Sequence, residues 1–260
     1  MTPLCPLLAC LGLLVFRSSP CEPDRSFLYQ PAFCLDYELR QPAEPYVPQP
    51  GDIFLATGRE RWAKVGHWMA GTGAPQHSGI VFALPDGRLA LLEAGPHNSL
   101  HCEIGEVVPQ VSSYAILERV WIRRRRIPLT GEQSACLTVF ALSASGKRFA
   151  LLRMLAQVTP FRSRGPLLAW GMGGPHGERG SYFCSELVTE ACVAAGLLNP
   201  LTTRPAAMYP RDLFFGRSSC SFIDQHLDMS SWYPPARWTL CPGTEPPLGR
   251  PWPYLDGDTP

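Results

Sequence analysis

Thiol chemistry is what this sequence is best equipped for. Cys184 heads a run, Cys184, Leu187, Val188, Ala191, Cys192 and Ala195, whose spacing is that of one face of a helix. Ser181 reads as the N-cap, which puts Cys184 in the first turn. Unpaired amides and the positive end of the helix dipole favour a thiolate at such a position. The apolar stripe turns the cysteine toward the rest of the protein. A buried structural cysteine, or half of a disulfide, would fit the same pattern.

A thiolate nucleophile needs a base, and the base needs something to orient it. Of the six histidines, His77 stands at the start of an apolar β-rich run, His77-Ser78-Gly79-Ile80-Val81-Phe82-Ala83, so its ring would project from an anchored strand. Glu93 ends the next such run, among Leu91, Leu92 and Ala94, where a carboxylate is out of place unless paired. If the two strands form a hairpin, His77 and Glu93 can be neighbours on one face. Each alone also has a plain structural reading, a core histidine and a strand-end charge.

Several elements must position these residues. Asp52–Thr57 reads as a strand and Arg59–Met69 as a helix broken at Gly71–Gly73. Pro85, Asp86 and Gly87 between the two β-rich runs predict a hairpin turn. Tyr114–Ile122 continues the strand character into Arg123–Arg126. Thr130 with Gln133 is a capping-box pattern opening a helix over Glu132–Ala144, stopped at Gly146. A glycine-rich loop from Gly171 to Gly180 precedes the Cys184 helix, which ends near Gly196. No internal repeat is found, and the class is α+β.

Taken in order, Gly51-Asp52-Ile53, His77-Ser78-Gly79-Ile80-Val81, Leu92-Glu93-Ala94, Gly146-Lys147, Tyr182-Phe183-Cys184-Ser185-Glu186-Leu187-Val188 and Tyr209-Pro210-Arg211-Asp212-Leu213 resemble the motifs of the permuted papain-like amidases, the YaeF/YiiX group related to NlpC-type enzymes. The resemblance covers residues 50 to 216. It implies a circularly permuted papain-like (NlpC-type) fold: an antiparallel barrel-like sheet carrying histidine and acid, followed by the nucleophile helix, the usual papain order reversed. Matched residue by residue, Cys184 would be the nucleophile, His77 the base and Glu93 its orienter. The implied activity is hydrolysis of an amide bond with no cofactor. On the same fold the substrate could be a lipid or thioester acyl group, favoured by a hydrophobic cleft lined by Trp62, Trp68 and Met69. A binding module with an inert or disulfide-bonded Cys184 is the non-enzymatic rival. The insertion between Asp52 and His77 and the long glycine loop depart from the family pattern and border the expected cleft.

Composition narrows the field. A net charge of +1 creates no long-range field that would select nucleic acid. The apolar run Leu4–Phe16, too short to span a bilayer, followed by Ser19 and Cys21, has the shape of a signal peptide over residues 1–21 and predicts export with no lasting membrane span. Residues 22–50 read as a proline-rich lead-in, 51–232 as one hydrolase domain, monomeric, and 233–260 as a proline-rich tail without a core of its own. With Cys184 free, Cys34, Cys102, Cys136, Cys192, Cys220 and Cys241 could form up to three disulfides. No two cysteines sit at zinc-knuckle spacing and no histidine pair lies four apart on a helix, so no metal site is expected. Arg123–Arg126 could be read as a convertase site or as a strand end, and His67, His97, His101 and His176 as packing or loop residues. No usable N-glycosylation sequon is present.

Overall fold

The computed structural model describes residues 25–29, 43–57, 61–95, 100–115, 119–159, 162–164, 177 and 179–240, with only the backbone for 61–64. The leader, Cys34, His97, His176, Cys241, the Trp62 side chain and most of the glycine-rich loop lie outside the described residues.

The fold is mixed α+β around a curled antiparallel half-barrel of eight strands. The strands are β1 (Ser26–Tyr29), β2 (Ala43–Tyr46), β3 (Ile53–Ala56), β4 (His77–Ala83), β5 (Leu89–Ala94), β6 (Cys102–Glu106), β7 (Val120–Arg123) and β10 (Ala236–Thr239), in the order β2-β1-β10-β7-β3-β4-β5-β6. A second, parallel pair joins β8 (Arg148–Phe149) to β9 (Ser181–Tyr182). The helices are α1 (Arg61–Met69), α2 (Val107–Ala115), α3 (Gly131–Ala144), α4 (Leu151–Ala156), α5 (Cys184–Ala194), α6 (Pro210–Phe215) and α7 (Ser221–His226).

Every residue of β3 is buried because the sheet is covered on both sides. Ile53 and Leu55 join a core with Ile80, Phe82, Leu92, Leu187, Val188 and Ala191, under α5 and α3. Phe54 and Ala56 point the other way, into a second core with Val81, Leu91, Val111, Tyr114, Ile122 and Trp238, under α2. The catalytic candidates lie where these two layers meet the end of the sheet.

The expected hairpin turn forms between β4 and β5. Leu84 N–H donates to Arg88 O at 2.7 Å, Asp86 Oδ1 accepts from Arg88 N–H at 3.0 Å, and Gly87 takes φ +84°, a conformation glycine adopts without Cβ strain. Thr130 and Gln133 cap α3 reciprocally, at 3.1 and 3.2 Å.

Two expectations are corrected, the strand at Tyr114 and the disulfides. Tyr114 ends a helix, α2, not a strand: Val107, Val111 and Tyr114 form a buried i, i+4, i+7 stripe, and Pro109 in the first turn removes no needed donor. The sheet includes strands outside residues 51–232. The lead-in supplies β1 and β2, the tail supplies β10, and the tail's Trp238 is a core residue. Cys102, Cys136, Cys192 and Cys220 are free thiols, so three bridges do not form. Cys102 and Cys192 act as small apolar core residues, and burial pushes both thiols up to about 12. Arg123 and Arg125 are buried, which does not suit a processing site. Arg123 donates to Leu213 O and Phe214 O, Arg125 stacks on Trp232, and Arg124 and Arg126 reach Tyr233. The run clamps the C-terminal segment to β7.

Candidate active site

The register of β4 and β5 places Gly79 opposite Glu93 and Val81 opposite Leu91. Side chains two apart on a strand share a face, so His77 and Glu93 are diagonal neighbours. Their side chains meet, Nε2 to Oε2, at 2.8 Å, with both residues buried. Gly95, one turn of the pleat beyond Glu93, leaves room for the ring: a Cβ there would stand 2.9 Å from His77 Cε1.

Helix α2 covers this face and brings two residues that the sequence reading passed over. Gln110 donates an amide N–H to Glu93 Oε1. The Tyr114 ring stacks on the imidazole at 4.9 Å and 14°, its hydroxyl lies 3.0 Å from His77 Nε2, and it also hydrogen-bonds Glu93. Their i, i+4 spacing would have paired them on one face once α2 was recognised as a helix. Phe54 closes the cage edge-on at 5.8 Å.

Cys184 is the first residue of α5, half-buried and free. Its Sγ lies 3.7 Å from the carbonyl of Gln76, the residue before His77, close enough to the imidazole to act on its titration. With Glu93 and Tyr114 at Nε2, Nδ1 is the ring nitrogen that neither of them engages. The structure thus brings together all three residues singled out from the sequence.

The electrostatics follow from this placement. Burial pulls hardest on His77 and downward, but hydrogen bonds to Cys184 and Glu93, with the charges of the same two groups, outweigh it and push the imidazole up to about 10. Burial alone would raise Glu93; the His77 bond and charge, then Gln110 and Tyr114, hold it below the usual carboxylate range. Burial and the Glu93 charge drive the Tyr114 phenol far up, so it stays protonated.

The N-cap is Phe183 rather than Ser181, because Ser181 and Tyr182 are held in β9. No side-chain hydroxyl is needed there. Glu186, three residues into the helix, accepts the Phe183 N–H at 3.3 Å, and Arg153 bonds the same carboxylate at 2.8 Å. Arg179 approaches Glu186 and Glu190 at 3.4 and 3.3 Å. This buried charge cluster fixes the start of α5, and the amides of Cys184, Ser185 and Glu186 have no acceptor within the helix. They are free to face negative charge developing beside the sulfur.

A nucleophile, a base with its opposite nitrogen tied to a carboxylate, and donors at a helix start can support acyl transfer. His101 pairs with Arg148 in a β-bridge, and His67 lies in the last turn of α1. Among the described residues no cluster of three metal-ligating side chains forms. No helix there is long and apolar enough to cross a membrane.

No protein-family model matches the chain, and no curated protein matches it. Among solved structures the chain is similar to the metalloprotein YiiX of Escherichia coli O157:H7, with 16% identity and a TM-score of 0.38, over 58% of this chain and 67% of that one.

Proposed function

We propose that this chain is an exported cysteine-dependent hydrolase of amide bonds, on a circularly permuted papain-like fold, with Cys184 as nucleophile, His77 as base and Glu93 as its orienter. One observation carries the reading: the free Cys184 at a helix start lies beside a buried His77 whose Nε2 is held 2.8 Å from Glu93. Export rests on the apolar run Leu4–Phe16.

The Cys184 sulfur bonds to the carbonyl carbon, and the oxyanion turns to the first-turn amides of α5. Collapse breaks the C–N bond while His77 gives its Nδ1 proton to the leaving amine. Water then attacks the thioester, His77 takes its proton, and the acid departs with Cys184 restored. Glu93 and Tyr114 hold the ring so that Nδ1 stays aimed at the sulfur throughout.

Esters and thioesters would pass through the same steps. The free Cys184 disfavours the disulfide-bonded form of the binding-module reading.

The test is alkylation of the folded protein by iodoacetamide, with Cys184 followed by mass spectrometry and the exposed Cys136 as internal reference. Cys184 is expected to react at least tenfold faster than Cys136 at pH 6–7, below the ordinary thiol pKa of about 8.5, and to lose that advantage in His77→Ala. Equal rates, indifferent to the substitution, would sink the hydrolase reading.

A further inference from the structure

Two short helices beside the candidate site turn apolar side chains outward. On α1, Val65, Trp68 and Met69 share one face at i, i+3 and i+4 and are 54%, 68% and 55% exposed. On α4, Leu152 is 83% exposed, with Leu151 and Leu155 also open to solvent. A helix that serves only the core turns such a stripe inward. These two do the reverse.

Both belong to the Cys184 end of the sheet. Helix α1 follows β3, whose Ala56 pairs with His77. Ala150, immediately before α4, donates its N–H to Tyr182 O at 2.9 Å, two residues ahead of Cys184. Met208 and Tyr209 tie the three parts together. Met208 O accepts the Ser185 hydroxyl at 2.7 Å, the Tyr209 hydroxyl donates to Ala70 O at the end of α1, and the Arg164 guanidinium, shortly after α4, lies 3.7 Å over the Tyr209 ring. Gly71 lies against Arg162.

Charge selects the occupant. Neither helix contains an acidic residue, Arg61 and Lys64 belong to the sequence of α1, and Arg162 is exposed between the helices' ends, while Arg153 is engaged by Glu186. Outward-facing tryptophan, methionine and leucine on helices whose own sequences hold basic but no acidic residues is the composition of helices that lie in a lipid interface. We infer that this face docks on a lipid bilayer bearing anionic headgroups and sets the Cys184 site at that surface. The docking deepens the hydrolase reading by naming where its acyl substrate is held; that step rests on the reading, and the docking itself does not.

Flotation of the full chain with vesicles tests it. The protein is expected to float with phosphatidylcholine vesicles containing about 30% phosphatidylglycerol, far less with phosphatidylcholine alone, and less as salt is raised. Trp68→Ser combined with Leu152→Ser should lower the partition coefficient at least tenfold with unchanged far-UV circular dichroism and Tm. No flotation of the wild type, or equal flotation of the double variant, overturns the inference. So does a wild-type dimer in sedimentation velocity that the same double substitution converts to monomer, since the face would then belong to a second copy. Intact flotation with an unreactive Cys184 sinks the hydrolase alone; a reactive Cys184 without flotation sinks the docking alone.

Discussion

Glu93 and His77 meet diagonally across the β4–β5 hairpin, carboxylate to imidazole at 2.8 Å, each carrying the shift that the other imposes. His77 is raised from 6.5 to about 10, so its contribution to stability is complete below pH 6.5 and is lost as pH rises through about 10. Glu93 is lowered, so its contribution is present above its ordinary 4.5 and is lost as pH falls through its folded value. Glu93→Gln should therefore cost about 2 kcal/mol near pH 6, roughly 4–8 °C in Tm, because it leaves a buried cation half-satisfied. The difference from wild type should shrink toward pH 10 and again in acid. Thermal melts of both proteins across pH read this directly; a difference independent of pH would mean that the pair is not ionic.

Gly95→Ala tests positioning with almost no change in chemistry. The added methyl would lie 2.9 Å from His77 Cε1 and 3.2 Å from Nδ1, and the ring has nowhere to retreat, with Tyr114 stacked on it and Glu93 on Nε2. A displacement of this size at a reacting group costs on the order of 10²-fold in rate. The expected result is a Cys184 alkylation rate close to that of His77→Ala with Tm lowered only slightly. Wild-type alkylation would show that ring placement does not govern the thiol.

Tyr114→Phe keeps the stacked ring and removes the hydroxyl that reaches both His77 Nε2 and Glu93. With one fewer donor on the carboxylate, Glu93 should hold the ring less tightly. The alkylation rate of Cys184 is expected to fall about three- to tenfold, the order of one hydrogen bond, and the midpoint of the His77 ring resonances in NMR should move. A merely structural tyrosine would change Tm and leave that midpoint in place.

The hairpin and the meeting of His77 with Glu93 were legible because their signals are local. Pro85-Asp86-Gly87 names its own turn, and Thr130 with Gln133 names the start of α3. Helix α2 was hidden by its composition: Val107, Val108 and Val111 favour strands intrinsically, and only the core formed with Phe54 and Val81 makes helical burial of Val107, Val111 and Tyr114 worthwhile. Strand β2 was hidden by Pro45, which fits because β2 is the edge of the sheet and a missing donor there costs no ladder bond. Pairing of β1 with β10 joins residues more than 200 apart, a closure that no local pattern encodes. Nor does the count of cysteines distinguish a thiol that bridges from one that packs, as Cys102 and Cys192 do.

Asp52 offers a test far from the reacting groups. It is fully buried at the start of β3 and accepts from Tyr46 Oη at 2.8 Å, Gln49 N at 3.2 Å and Arg125 N at 2.7 Å, joining the lead-in, β3 and the arginine run. Burial pushes its carboxyl up from 3.8 to about 6, against the lowering pull of the Arg125, Tyr46 and Gln49 bonds. A folded value above the unfolded one means that this group's stabilisation is complete below pH 3.8 and is lost as pH rises through about 6. Tyr46→Phe takes away one bond that favours the anion, so the carboxyl midpoint should move higher still, and the variant should lose more stability at pH 7 than at pH 5. Carboxyl ¹³C shifts of Asp52 followed across pH in both proteins measure the two midpoints; a downward move in Tyr46→Phe would contradict the balance of burial against hydrogen bonding argued for this corner of the sheet.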